Sequence, residues 1–179
     1  MMKKVLLLLV FAGFAAGASA QLVQPNRPRL SLDGKKGYIT INELSFGYGL
    51  GGHTTPYSKS YFGFTTMHAF QSNELFMVGA GTGVLSYRDG IMIPLYLDMR
   101  MRLMQNTFAP YLSGAAGLLI NPGDFNGGTR MFIQPSAGGM YSFSRNFAAN
   151  FSVGLKIQMG VNISRASFVT GKAGVIYKF

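Results

Sequence analysis

The sequence predicts an all-β fold, an eight-stranded antiparallel up-and-down transmembrane β-barrel, and three observations carry that prediction. From residue 37 onward apolar and less apolar residues alternate at period two, in eight segments parted by turn signals. The connections between those segments are long and short by turns. Finally, 48% of the residues are hydrophobic and 12% charged, against roughly 25% charged in soluble domains. That is too little charge to coat an exterior in water.

The elements follow in order. Residues 1–20 begin with Lys3 and Lys4, continue with an apolar run over 5–16, and end in Ala18-Ser19-Ala20. This is the pattern of a secretory signal peptide cleaved before Gln21. The apolar run is shorter than the roughly 20 residues of a spanning helix. No cysteine follows the cleavage site, and the chain has none to form disulfides. Residues 21–36, with two prolines and little periodicity, read as an extended periplasmic lead-in. The barrel domain is residues 37–179.

Strand one spans 37–51, with Leu44, Phe46, Tyr48 and Leu50 on one face and Glu43, Ser45, Gly47 and Gly49 on the other. Strand two, 59–70, puts Phe62 and Phe64 on its apolar side, and its lower half is ambiguous in facing. Strand three, 75–87, sets Phe76, Val78, Ala80 and Val84 against Gly79, Gly81 and Gly83. The hairpin signal Arg88-Asp89-Gly90 leads to strand four, 91–103, where seven apolar residues from Ile91 to Leu103 alternate with a face carrying Asp98, Arg100 and Arg102. Strands five, six and seven cover 107–120, 131–143 and 147–159. The last of these holds Phe147, Phe151, Val153, Leu155 and Met159 on one face, with Asn150, Ser152, Lys156 and Gln158 opposite. A loop over 161–166 precedes strand eight, 167–179. Each segment reaches the roughly 9–11 residues that cross a bilayer when tilted. Connections one, three, five and seven lie on one rim and are longer than two, four and six, apart from the short Arg88–Gly90 link. Long loops on one rim and short turns on the other are typical of outer-membrane barrels.

The same alternation serves a soluble barrel with its apolar face inward. The scarcity of charge, the long apolar face of strand seven, and aromatic residues near strand ends (Tyr48, Tyr61, Phe70, Tyr87, Phe108, Tyr141, Phe143, Phe147, Tyr177, Phe179) favour the apolar face outward. A narrow eight-stranded interior also favours small residues, and the less apolar face is rich in Gly, Ser, Thr and Asn. Pro94 lies near the loop-side rim; Pro135, nearer mid-strand, is expected to sit at a bulge.

The signal peptide, the alternating strands and the ending "GKAGVIYKF" resemble the small outer-membrane β-barrel proteins of Gram-negative bacteria. "IPLYLDMRMRL" and "FAPYLSGAAG" are similar to middle strands of the OmpA/OmpX-like, porin-like barrels of Bacteroidota. The resemblance implies an integral protein of the cell outer membrane, in contact with outer-membrane lipid and lipopolysaccharide. It also implies that Val175, Tyr177 and Phe179 form the signal read by the barrel-assembly machinery.

Outward-facing apolar residues put Glu43, Asp98, Arg100, Arg102, Lys156 and Lys172 in the lumen. Buried charges must be paired or hydrated, so these residues are expected to form a structural network that plugs the barrel. An ion or solute path is the alternative. The formal charge of +10, or +8 without Lys3 and Lys4, is dispersed and does not point to nucleic acid. Lipid A acyl chemistry, known among such barrels, needs a nucleophile beside a general base. Only His53 and His68 are available; neither forms a His-x-Ser pair or is backed by a carboxylate, so no catalytic residue is assigned. With two histidines, no cysteine and scattered carboxylates, no metal site is expected. The glycine runs "GYGLGG" and "GAGTG" lie within strands and lack a following Lys or helix, so no phosphate site or cofactor is expected. The expected role is non-enzymatic: envelope structure, or partner binding through the surface loops, led by 121–130. A narrow pore and a lipid A-modifying enzyme are the alternatives.

Overall fold

In the computed structural model, which describes residues 32, 35–51, 59–123, 128–160 and 163–179, eight strands form a closed barrel. They are β1 (Gly37–Gly49), β2 (Ser60–Gln71), β3 (Phe76–Tyr87), β4 (Gly90–Arg102), β5 (Phe108–Ile120), β6 (Arg130–Ser142), β7 (Phe147–Gly160) and β8 (Ile163–Lys178). Each pairs antiparallel with the next, and β8 closes on β1, Glu43 opposite Gly174 and Ser45 opposite Lys172. Closure gives every strand two partners and removes the open edge, the condition for β-structure inside a bilayer. The signal peptide 1–20, most of the 21–36 lead-in, His53 in the first loop and residues 124–127 of the fifth connection lie outside the described residues.

The short turns have local causes. Asn73 Oδ1 accepts from the amides of Leu75 and Phe76, at 2.9 and 2.8 Å. Ser144 Oγ does the same for Asn146 and Phe147, at 3.2 and 3.0 Å. Such side chains satisfy amides that the ladder releases at a reversal. Arg88 and Asp89 connect β3 to β4, and Gly90 takes φ 145°, a conformation that disfavours a side chain.

The wall is apolar outside and mixed within. Leu97, Met131 and Val153 are 66%, 63% and 62% exposed, while Arg100 and Arg102, on the same strand as Leu97, are 1% and 2% exposed. This is the inverse of a water-soluble sheet, and a continuous apolar band of this extent marks a lipid-facing surface. Near the turn rim the polarity of β1 and β2 reverses. Ile39, Ile41 and Met67 turn inward, while Thr40, Asn42, Thr66 and His68 turn outward. This reversal is the source of the ambiguity in strand two.

Three expectations are corrected. Residues 163–166 belong to β8 rather than to a loop, and the β7–β8 ladder runs on through an irregularity between Gln158 and Gly160. Pro135 causes no bulge: the β6–β7 ladder is interrupted between Ile133 and Ser136, but its register is the same on both sides. Proline there lacks the ladder donor, and pairing simply resumes beyond it. Tyr61 and Tyr87, counted with the outer aromatics, point into the barrel and are 2% and 5% exposed. The other eight are exposed on the outer surface. Along the turn rim, Tyr177 and Phe179 lie edge to face at 4.8 Å, and Tyr38 contacts Phe179 at 5.3 Å.

Candidate functional site

The lumen gathers nearly all the buried polar chemistry, and the strands stack it in three layers. Nearest the turn rim is an apolar layer in which Leu32, from the segment before β1, packs with Ile39, Ile41, Met67, Met77 and Ile176. Leu32 is held there by its backbone: its amide donates to Ser142 Oγ at 3.0 Å, and its carbonyl accepts from Arg102 Nη1 at 3.5 Å. Arg102 Nη2 donates to the Glu74 carbonyl, and Lys178 Nζ to the Lys35 carbonyl. Cations placed by β4 and β8 thus fix the lead-in and a turn by their backbone oxygens.

Above this layer lies a charged one. Arg100 Nη1 contacts Glu43 Oε1 at 2.9 Å, Nη2 contacts Asp98 Oδ2 at 3.0 Å, and Nε donates to the same Asp98 oxygen at 3.1 Å. Arg100 and Asp98 meet because residues two apart on a strand share a face; Glu43 arrives from β1 across the lumen. Lys172 Nζ lies 3.8 Å from Glu43 Oε2, and Asn150 Nδ2 donates to Glu43 Oε1. The Arg100 guanidinium sits 5.6 Å from the centre of the Tyr111 ring, whose hydroxyl accepts from Asn150 at 3.4 Å.

On the loop side is an aromatic layer. Tyr61 packs on Tyr87 at 5.0 Å and on Phe168 at 5.6 Å, and Tyr96 lies 6.2 Å from Phe132. Glycines make room for two of these rings: Tyr61 lies over its cross-strand partner Gly47 and Tyr96 over Gly81, where a Cβ would overlap the ring. Lys156 Nζ stands 4.6 Å from the centre of Tyr61 and 4.8 Å from that of Phe132. A desolvated ammonium over aromatic faces gains about 2 kcal/mol. Gln158 Nε2 donates to Tyr87 Oη at 2.7 Å.

Of the six residues expected in one network, the structure therefore brings together Glu43, Asp98, Arg100 and Lys172. Arg102 is in the turn-rim layer and Lys156 in the aromatic layer, neither within 4.0 Å of a carboxylate among the described residues. Asn150 and Tyr111 join the cluster without having been assigned to it, although the parity of strand seven places Asn150 inward beside Lys156. Arg130 and Lys178 are also buried. Nothing in the sequence marks Leu32, one of three leucines in residues 21–36.

His68 is on the outer wall, its Nδ1 hydrogen-bonded to the Tyr38 hydroxyl and the two rings stacked at 5.9 Å. No carboxylate or serine among the described residues is hydrogen-bonded to it there. Among the described residues, no group of three or more His, Cys, Asp or Glu could hold a metal ion. Val175, Tyr177 and Phe179 are exposed on the outer face of β8, and the Phe179 amide donates to the Tyr38 carbonyl at 3.1 Å.

No protein-family model and no curated protein matches the chain. Solved structures do. Neisserial surface protein A superposes with a TM-score of 0.54 at 12% identity, covering 80% of this chain and 97% of that one. The N-terminal β-barrel domain of Pseudomonas aeruginosa OprF gives 0.52 at 16% identity over 81% and 100%. The outer membrane protein OprG from the same organism gives 0.52 at 11% identity over 84% and 99%. At such identities the likeness is one of fold, and it places the chain in the class of small closed β-barrels to which these bacterial proteins belong.

Proposed function

We propose that the chain is an integral protein of the cell outer membrane, of the small OmpA/OmpX-like kind found in Bacteroidota, and that it works as a plugged, non-enzymatic barrel. The turn rim and Phe179 face the periplasm, and the loop rim faces outward. Its contacts are outer-membrane lipid and lipopolysaccharide along the wall, and the barrel-assembly machinery at Val175, Tyr177 and Phe179 during insertion. Its role is exerted through envelope structure and the loop-side surface, including 121–130.

One observation carries this reading: the lumen is filled along its length. The Leu32 layer caps the turn rim, the Arg100 cluster spans the middle, and the aromatic layer above leaves a cavity of only about 10 Å³. That is close to the space of one water. Such an interior supports neither the passage of solutes nor the admission of a lipid acyl chain. Two measurements test the proposal. Cell fractionation with heat-modifiable migration in detergent gels is expected to give an outer-membrane, heat-modifiable band; a soluble periplasmic protein refutes it. Planar bilayers containing the purified barrel are expected to show no discrete conductance steps, and regular steps refute the plugged state.

A further inference from the structure

The loop-side lumen buries a cation that no carboxylate partners among the described residues. In the charged and aromatic layers, the described residues supply the carboxylates Glu43 and Asp98 and the cations Arg100, Lys172 and Lys156, with Arg130 buried beyond them towards the loop rim. Arg100 and Lys172 are engaged by the two carboxylates. Lys156 is 4% exposed and has only the faces of Tyr61 and Phe132. Rings offset part of the loss of water from an ammonium but do not neutralise it.

The neighbouring hydroxyls are short of partners too. Tyr61 Oη is buried without a hydrogen-bond partner, and those of Tyr96 and Thr65 have at most each other. Gln134 has committed its amide nitrogen to Thr170 Oγ1 at 3.0 Å. Lys156, Lys172, Tyr61, Thr65 and Tyr96 all line a cavity of about 10 Å³. Its size matches the roughly 10–15 Å³ that a single water-sized occupant needs.

We propose that this cavity is a halide site that holds one chloride ion. Room for about one water-sized occupant favours a small monatomic anion over phosphate or sulfate. Lys156 has no carboxylate within 4.0 Å among the described residues, and a monovalent anion supplies the missing counter-charge. A spherical anion accepts from several N–H and O–H groups at once and needs no acceptor in return. A water could also bond these hydroxyls, but it would leave the Lys156 ammonium without a counter-ion.

The test uses the full chain in detergent. Crystals soaked in sodium bromide are expected to show one anomalous peak in the cavity, in contact with Lys156 Nζ. Unfolding is expected to be about tenfold slower in potassium chloride than in potassium gluconate of equal ionic strength, the factor for an ion at roughly ten times its Kd. In Lys156→Met, which keeps the side-chain volume, the two salts should give the same rate. If that variant does not fold, Tyr61→Phe takes its place; removing one donor hydroxyl should shrink the chloride effect. Absence of the peak overturns the proposal. So does a peak with no chloride effect on unfolding, which means an adventitious ion only, or a full chloride effect in the folded variant.

Discussion

Replacing Arg100 with alanine tests the lumenal cluster most directly, because one side chain bridges two carboxylates buried from bulk solvent. The guanidinium makes contacts of 2.9, 3.0 and 3.1 Å to Glu43 and Asp98. Without it, Glu43 keeps Lys172 at 3.8 Å and the Asn150 amide, whereas Asp98 keeps no ion pair among the described residues. Breaking a buried pair by removing one partner costs about 3–5 kcal/mol, most of it the penalty on the charge left behind. Arg102 gives the control. Its partners are the neutral carbonyls of Leu32 and Glu74, so Arg102→Ala should cost only about 1–3 kcal/mol. In the Arg100→Ala background, Asp98→Asn removes the stranded charge and should recover part of the loss. The assay is urea unfolding of the barrel in detergent micelles, followed by the gel shift between folded and unfolded forms. An Arg100→Ala loss below about 1 kcal/mol, or one smaller than that of Arg102→Ala, refutes the reasoning. Unchanged stability with altered conductance would mean that the cluster lines a path rather than a plug.

Three further substitutions probe the wall, the cap and the ring packing. Leu97→Arg places a charge on the most exposed position of β4 and should cost about 2–4 kcal/mol if that face meets lipid; a neutral result in the same urea assay means that it meets water. Leu32→Ala empties part of the turn-rim cap and should cost about 2–5 kcal/mol, with faster hydrogen exchange at the amides of 37–41 as the local readout. Unchanged stability and exchange mean that Leu32 does not cap the lumen. Gly47→Ala sets a methyl against the Tyr61 ring and should cost about 1–3 kcal/mol through overpacking, with a shift in near-ultraviolet circular dichroism from the displaced tyrosine. A silent variant shows that the ring is not confined there.

The strands were legible because a two-residue period carries over unchanged from sequence to sheet. Once Leu44, Phe46 and Leu97 are taken as outward, parity alone sends Glu43, Asp98 and Arg100 inward. Parity says nothing about height, and that is why Arg102 and Lys156 were grouped with residues from other layers. The apolar turn-rim layer was within reach of the same rule, since Ile39, Ile41 and Ile176 share faces with Glu43 and Lys172. It was obscured by the small and polar residues that dominate the rest of that face. Tyr61 and Tyr87 stand at strand ends like the outer aromatics, and only the facing of each strand separates the two groups. Leu32 belongs to no periodic segment; what places it is the opening left by inward side chains from several strands. The start of β8 was missed because Arg165 breaks the apolar pattern, yet an exposed arginine is tolerated on a hairpin near the loop rim.

The Glu43–Lys172 pair joins the first strand to the last, and this gives the seam between them a means of proofreading. Hydrophobic alternation cannot detect a slip of two residues between β1 and β8, because every apolar side chain would still face outward. The ion cluster can. Such a slip would carry Lys172 about 7 Å along the strand, leaving Glu43 with less counter-charge at a buried position. The same shortfall would persist in a chain whose final strand had not yet docked. Electrostatics therefore distinguishes the correctly zipped cylinder from near-copies that the hydrophobic pattern alone would accept.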